Sequence, residues 1–525
     1  MPTLDWIGKK AVVNHHREVP FHLLKCDGKL SVGDPGSGNL LVQGDNLLAL
    51  KALLPYYAGR VKCIYIDPPY NTGNENWVYN DAVNSPEIRK WLGRVVGAEA
   101  EDLSRHDKWL CMMYPRMMLL KEFLREDGAI FVSIDDYEGH YCKALFDEVF
   151  GRRNFIATVI WQRLHARNNS AKHLSADHEF ILVYAKSAER WSRNKVPRTE
   201  ASDSDFWNPD NDPRGDWRRS DLTAAKPYGE GKYAVVGPHG DSFEPRANRW
   251  WSISKETFEE LRADKRIWWG KKGKTFPFRK RFRSELGELV PTTIWLNEEV
   301  GDNRQAKQEI NRLFGQNTFP TPKPERLIQR VLRIATDPGD LVMDSFAGSG
   351  TTGAVAHKMG RRWIMVEMAA HCHTHIAPRL TKVVEGEDGG ISQVMDWKGG
   401  SGFRYCRLGP PVFDEAGTIR QGVTFGELAA HVYFTETGEP IPKRNNGRTP
   451  LLGIHNGKAV YLLFNGICGD RSPGGGNVLT NAVLKALPAH DGPRVIYGEG
   501  CRLGKPRLKR ERIVFKQIPY GIKVS

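Results

Sequence analysis

The sequence predicts an α/β protein: one largely parallel sheet covered by helices, interrupted by a long irregular insertion and followed by a smaller C-terminal domain. Three observations predict it. Short apolar strands alternate with amphipathic helices between Leu40 and Phe150, the pattern of a helix-covered parallel sheet. The alternation lapses from about Ser187 to Val300, where turn formers, charges and tryptophans dominate, and then returns. Beyond Gly399 the pattern weakens, leaving a unit with a basic stretch, KPRLKRER, near its end. The expected division is 1–186, 187–300, 301–398 and 399–525, the first and third segments being two halves of one sheet.

Each element follows in order. LLVQGD reads as a strand, LLALKALLPYY as a helix and VKCIYID as a strand. WLCMMYPRMMLLKEFLRED is expected as a helix feeding the strand GAIFVSID, and HYCKALFDEVF as a helix leading to the strands NFIATVIW and HEFILVYAK. After the insertion, KPERLIQRVLRIAT makes a helix with Pro324 in its first turn, where a missing N–H costs little. LVMDSF and RRWIMVEM are strands flanking a further helix. Eight of the 15 tryptophans lie between 187 and 300 (Trp191, Trp207, Trp217, Trp250, Trp251, Trp268, Trp269, Trp295), so that segment is expected to be folded rather than disordered.

At 525 residues the chain is long enough for more than one core, since single cores rarely exceed roughly 250 to 300 residues. No apolar run approaches the ~20 residues that span a bilayer, and MPTLDWIGKKAVVNHHREVP lacks the apolar centre of a signal peptide; a soluble, cytoplasmic protein is expected. The eight cysteines include no CxxC pair, so reduced structural thiols are expected rather than a disulfide framework or a zinc ribbon. A net charge of +14 favours a polyanionic partner such as nucleic acid.

Two motifs carry chemistry. MDSFAGSGTTGAVAHKMGRRWIMVE holds Gly348, Gly350 and Gly353 as GxGxxG between a strand and a helix, with Glu367 at the end of the next strand. Glycines there let the backbone approach a cofactor, and a distal acid binds ribose hydroxyls. A nicotinamide enzyme is one reading. Asp344, just before the loop, favours S-adenosylmethionine instead, because a carboxylate repels pyrophosphate and attracts the amino group of a methionine moiety. The second motif, CIYIDPPYNTG, ends a buried strand in Asp67, Pro68, Pro69 and Tyr70. Asp67 and the Pro68 carbonyl could accept both N–H bonds of the exocyclic amine of a nucleobase. Proline brings no competing N–H, and Tyr70 offers a face on which a base stacks for ~1 to 3 kcal/mol.

With QGDNLLALKAL, IYIDPPYNTGN, VYND, GAIFVSIDDYE, FPTPKPERL and DSFAGSGTT in this order, the chain resembles the β-group DNA amino-methyltransferases, most nearly the modification subunits of type III restriction systems. The resemblance is strong over residues 1 to 400. It implies a Rossmann-like S-adenosylmethionine-dependent methyltransferase sheet, an N6-adenine product because aspartate heads DPPY, and base flipping from double-stranded DNA. It assigns Asp67, Pro68, Pro69 and Tyr70 to the target base. Asp344, Phe346, Gly348, Gly350 and Thr352 fall to the cofactor's methionine side and Glu367 to its ribose, with Ser349 and Thr351 also among the cofactor-binding residues. Phe319 and Lys323 would lie near the methionine carboxylate, and Asp45 at the cofactor's edge. It further implies a homodimer and a nuclease-helicase partner, with the C-terminal domain available for either contact.

The insertion is the expected target-recognition region. Residues 246–283 hold 13 Lys or Arg against 4 Asp or Glu, interleaved with Trp250, Trp251, Trp268, Trp269, Phe276, Phe278 and Phe282, a mixture suited to phosphate contact and base wedging. Arg246, Arg249, Lys271, Lys272, Lys274, Arg279, Lys280 and Arg281 are the candidate DNA contacts. No metal is expected: His371, Cys372 and His375 in HCHTH lack a second ligand group. Asp135 and Asp136 read as part of the fold. RSPGGGN lacks the lysine of a phosphate-binding loop, so no ATP site is expected.

Overall fold

The computed structural model describes residues 3–71, 90, 93–94, 104–199, 203–315, 319–368, 370–443, 447–467 and 477–522. VYND and most of RSPGGGN lie outside the described residues. The chain divides into two compact units, 1–194 with 292–525, and 195–291. Among the described residues no helix is long and apolar enough to cross a membrane.

The first unit is built on a ten-stranded sheet. Its strands are β1 (His22–Gly33), β2 (Leu40–Gln43), β3 (Val61–Ile66), β4 (Leu124–Ile134), β5 (Phe155–Gln162), β6 (His178–Ala185), β7 (Ile294–Trp295), β8 (Leu341–Asp344), β9 (Arg362–Glu367) and β10 (Gly402–Pro411). In space they run β1-β10-β2-β9-β8-β3-β4-β6-β5-β7. The centre is parallel: β8 pairs with both β9 and β3, and β3 with β4. Helices cover both faces, so β3 and β8 are almost wholly buried. This is why their sequences read as continuous apolar runs rather than alternating ones.

Helices α1 (Asn46–Tyr57), α2 (Arg105–Phe123), α3 (Gly139–Phe146), α4 (Glu325–Ala335), α5 (Thr351–Lys358) and α6 (Ala377–Glu385) accompany these strands. α2 starts earlier than its apolar pattern predicts, because Ser104 and Asp107 close a capping box that satisfies otherwise orphaned N–H groups. It also ends earlier: Leu124 already pairs with Val61, so LRED belongs to β4. Pro324 stands just outside α4, as its cap.

Three expectations are corrected. The insertion shrinks from 187–300 to 195–291, because Ile294 and Trp295 pair with Ile160 and Trp161 of the large sheet. The boundary at 399 moves beyond Pro411, because β10 pairs with β2 and β1. The remaining C-terminal part has helix α7 (Phe425–Thr437) and the four-stranded sheet β11 (Leu451–His455), β12 (Lys458–Leu462), β13 (Arg494–Gly498), β14 (Ile513–Gln517), whose core is continuous with Phe21 and Leu23 at the start of β1. Finally, Cys26 and Cys406 are not free thiols: they face each other across β1 and β10 and are joined as a disulfide.

Candidate active site

β3 and β8 lie side by side and point the same way, with Val342 opposite Cys63 and Met343 opposite Ile64. Asp67 leaves the end of β3 and Asp344 closes β8. Two motifs far apart in sequence therefore emerge together at the carboxyl ends of neighbouring parallel strands, where open α/β sheets bind ligands.

On the β8 side, the Asp344 carboxylate accepts from Phe346 N–H (2.9 Å) and from Thr352 Oγ1 (2.6 Å). It is buried, and burial together with the charges of Asp67 and Glu367 pushes it up to about 7 in spite of these bonds. Gly348 and Gly350 take positive φ. A Cβ on Gly350 would come within 2.8 Å of Ile376, so glycine is needed both for the turn and for close packing. Glu367 accepts Gly348 N–H at 2.9 Å and Met368 N–H at 2.9 Å. Ser349, Thr351 and Thr352 are buried and brace the loop: Thr351 Oγ1 donates to the Lys323 carbonyl (3.2 Å). Below them Arg379 donates to the Ser349 carbonyl (3.2 Å), Thr351 Oγ1 (2.9 Å) and Glu325 (2.9 Å). Phe319 packs on Gly348, where an added Cβ would stand 3.7 Å from its ring.

The α1 end completes this side. Asp45 caps α1 by accepting from Leu47 and Leu48 N–H and pairs with Arg116 at 3.1 Å; it reaches the loop through its neighbour Asn46, whose Nδ2 donates to the Ser345 carbonyl (2.9 Å).

On the β3 side, Trp109 Nε1 donates to the Pro69 carbonyl at 2.7 Å, while among the described residues no donor claims the Pro68 carbonyl. Lys323 reaches this end of the site from before α4. Its ammonium lies 2.8 Å from both Asp67 oxygens and 2.9 Å from the Tyr70 hydroxyl, 256 residues away in sequence from the former. The Asp67 and Glu179 carboxylates hold it cationic, outweighing burial. Tyr70 in turn lies 2.8 Å from Asp67 Oδ1 and 2.9 Å from Glu179 Oε2. A carboxylate has about four lone-pair sites. Lys323 and Tyr70 occupy three, so Oδ2 keeps one for an incoming N–H.

Sequence reasoning passed over Glu179, Trp109, Asn46 and Arg379. Glu179 had one legible signal: it is the only acid in HEFILVYAK, at the mouth of an apolar strand. Glu138 was missed as well. Wholly buried, it holds Asn71 and His106 and fixes the turn after Tyr70. His371 lies beside the glycine-loop acid, 3.3 Å from Glu367 and with its ring 5.9 Å from Phe319; burial lowers it to about 3.

Within unit 195–291, the DNA-contact candidates separate. Arg246, Lys271, Lys272, Lys274 and Arg281 are exposed. Lys280 is not a surface cation: it is 4% exposed and ion-paired with Asp210 and with Asp212 (2.8 Å). Arg249 is spent on Thr223, through Oγ1 (2.8 Å) and the carbonyl (2.7 Å), and Arg279 is half-buried. Trp251, Trp269 and Phe258 form the unit's core and Phe282 is buried, so these rings are not free wedges.

Residues 61–378 match the family described as DNA methylase, and the match spans both strand ends of the site. The chain belongs to the DNA methylase family. This DNA methylase is 36% identical over 363 residues to the Type III restriction-modification enzyme StyLTI Mod subunit of Salmonella typhimurium, covering 66% of this chain and 54% of that one. It is 33% identical over 406 residues to the EcoPI Mod subunit of Escherichia phage P1, covering 68% and 61% respectively. The chain thus spans little more than half the length of these curated relatives.

Proposed function

We propose that this DNA methylase transfers a methyl group from S-adenosylmethionine to adenine N6 in double-stranded DNA, acting in the cytoplasm as the modification subunit of a type III restriction-modification system. The observation that carries the reading is the pairing of the spare lone pair on Asp67 Oδ2, whose other site Lys323 fills, with the unclaimed Pro68 carbonyl, beside the glycine loop on the adjacent strand. Two N–H acceptors fit an amino group and repel an acidic one. The aspartate at the head of DPPY and the Mod names of the relatives favour adenine and a restriction partner. Pairing into a homodimer is carried by the resemblance and is checked by sedimentation.

When bound, S-adenosylmethionine supplies an electrophilic methyl group on a sulfonium. Asp344, Phe346 and the 348–352 backbone would hold its methionine side and Glu367 its ribose. The chain's own work is to orient the amine. Its lone pair is delocalised into the base, and accepting both N–H bonds aims that lone pair at the methyl group while limiting its freedom, a positioning contribution of the kind that dominates such reactions. As nitrogen gains the methyl group it becomes cationic; the Asp67 carboxylate stabilises that charge, and the surplus proton leaves to Asp67 or solvent. Unpairing the base costs a few kcal/mol, which the exposed cations of the insertion would offset by phosphate contact.

The test is incubation of the purified chain with S-adenosylmethionine and unmethylated plasmid, followed by mass spectrometry of the nucleosides. N6-methyladenine is expected, and its absence from an Asp67→Ala reaction. N4-methylcytosine instead, or label entering only RNA or protein, would overturn the assignment.

A further inference from the structure

Glu179 is the second residue of β6, which runs antiparallel to β4 with Phe180 opposite Ile134. Reversal brings the first residues of β6 to the sheet edge where β3 delivers Asp67. The side chain is 7% exposed. Its carboxylate lies 2.9 Å from the Tyr70 hydroxyl and 3.5 Å from the Lys323 ammonium, with Arg163, at the end of β5, 3.6 Å away on the other side. Other ionisable groups facing it are Tyr65 on β3 and Asp135 beyond β4.

Burying a carboxylate costs several kcal/mol, and an apolar residue of similar volume usually stabilises a fold as well or better. Packing alone therefore gives no reason for an acid here. The reason lies in what it draws away from Asp67. Lys323 covers both Asp67 oxygens, and Tyr70 has one phenolic proton and two carboxylates within reach. With Glu179 present, the phenolic proton can go to Glu179 and the ammonium is shared between two acids. Without it, both donors are committed to Asp67, which then has less accepting power left for the amine.

We infer that Glu179 is a positioning residue for methyl transfer, acting through the Tyr70 hydroxyl and the Lys323 ammonium to keep Asp67 a strong acceptor; this rests on the function proposed above. Glu179→Gln in the full chain lowers kcat about tenfold while KM for DNA and for S-adenosylmethionine stays within about twofold, the signature of an interaction made in the transition state. In a Tyr70→Phe background the same substitution costs under about threefold, because the two act as one unit. Should Glu179→Gln not fold, Glu179→Asp, which keeps the charge but withdraws it by one methylene, carries the same comparison. An unchanged kcat, a rise in KM alone, or a full loss that persists in the Tyr70→Phe background overturns the inference.

A second arm needs no methyl transfer. In protein labelled at lysine 13Cε, the Lys323 resonance, assigned by its absence from Lys323→Arg, titrates at lower pH in Glu179→Gln, because losing a neighbouring carboxylate disfavours the ammonium. An unmoved titration overturns the coupling. If the unsubstituted chain methylates no DNA while Lys323 responds, the proposed function falls and the Glu179 coupling stands.

Discussion

The DPPY site and the 195–291 insertion both combine charges with aromatic rings, yet use them in opposite ways. At the site, Asp67, Glu179, Lys323 and Asp344 are fixed at strand ends or in braced loops, all buried but the partly exposed Asp67, and each partner is set by its neighbours. In the insertion, the rings turn inward to make a core around Trp251 and Phe258, and most of the candidate cations turn out. Arg249 and Arg279 are half-buried, and Lys280 departs furthest, a charge that behaves as a site-like structural ion pair. The lesson is that a charge–aromatic composition does not say which residues meet a ligand. What decides is whether an ion is held by other ions or left to solvent.

Four sets of substitutions sharpen this contrast. The largest effect is expected at Asp67→Ala, which removes an acceptor and leaves Lys323 facing Glu179 alone: methyl uptake falls about a thousandfold, measured with labelled S-adenosylmethionine. A residual activity near that of the unsubstituted chain would mean the amine is held elsewhere.

Next comes Lys280→Ala. Removing one partner of a buried ion pair costs about 3 to 5 kcal/mol, so amide exchange should accelerate in the paired strands Trp217–Asp221 and Phe278–Phe282 while the large sheet keeps its protection. Asp212, held below the usual carboxylate range by Arg214 and Lys280, would lose one of its two supports. Uniform exchange rates before and after would return Lys280 to the surface set.

Asp344 gives a pH-dependent effect. Its carboxyl titrates at about 7 in the fold against about 3.9 in an unfolded chain. A raised acid stabilises the fold fully below its unfolded value, and this contribution is lost as pH rises through 7. Asp344→Asn should therefore flatten the stability profile between pH 4 and 7. If, as proposed, the same group meets a cofactor's ammonium as an anion, S-adenosylmethionine binding should weaken as pH falls below 7, with a proton released on binding. Calorimetry in buffers of different ionisation enthalpy checks this, and Asp344→Asn should show neither effect.

The smallest single effects belong to the exposed cations. Alanine at Arg246, Lys271, Lys272, Lys274 or Arg281 should leave folding unchanged, weaken binding to all DNA sequences alike, and reduce the salt slope by about one for each phosphate no longer neutralised. A substitution that changes the methylated sequence without changing the slope would mark a base-reading side chain instead.

Much of the fold was legible because it is local. Apolar runs bounded by turn residues gave β3, β4, β8 and β9, and GxGxxG and DPPY named their own loops, since positive φ and a proline-fixed carbonyl are demands on particular residues. β7 was hidden because two residues carry no period, and β10 because its membership in the large sheet depends on β2, hundreds of residues earlier.

What the sequence determined by itself is the chemistry available: an acid and a rigid carbonyl at the end of one buried strand, a glycine loop at the end of another, and a basic, aromatic-rich insertion. Only the tertiary structure decided how that chemistry is joined. It set β3 beside β8, set Lys323 against Asp67, brought Glu179 in from an antiparallel strand, and buried Lys280 while leaving the adjacent Arg281 in water. The physical reason is that backbone demands are written residue by residue, whereas an ion's role depends on which other ions long-range strand pairing places within a few ångströms of it.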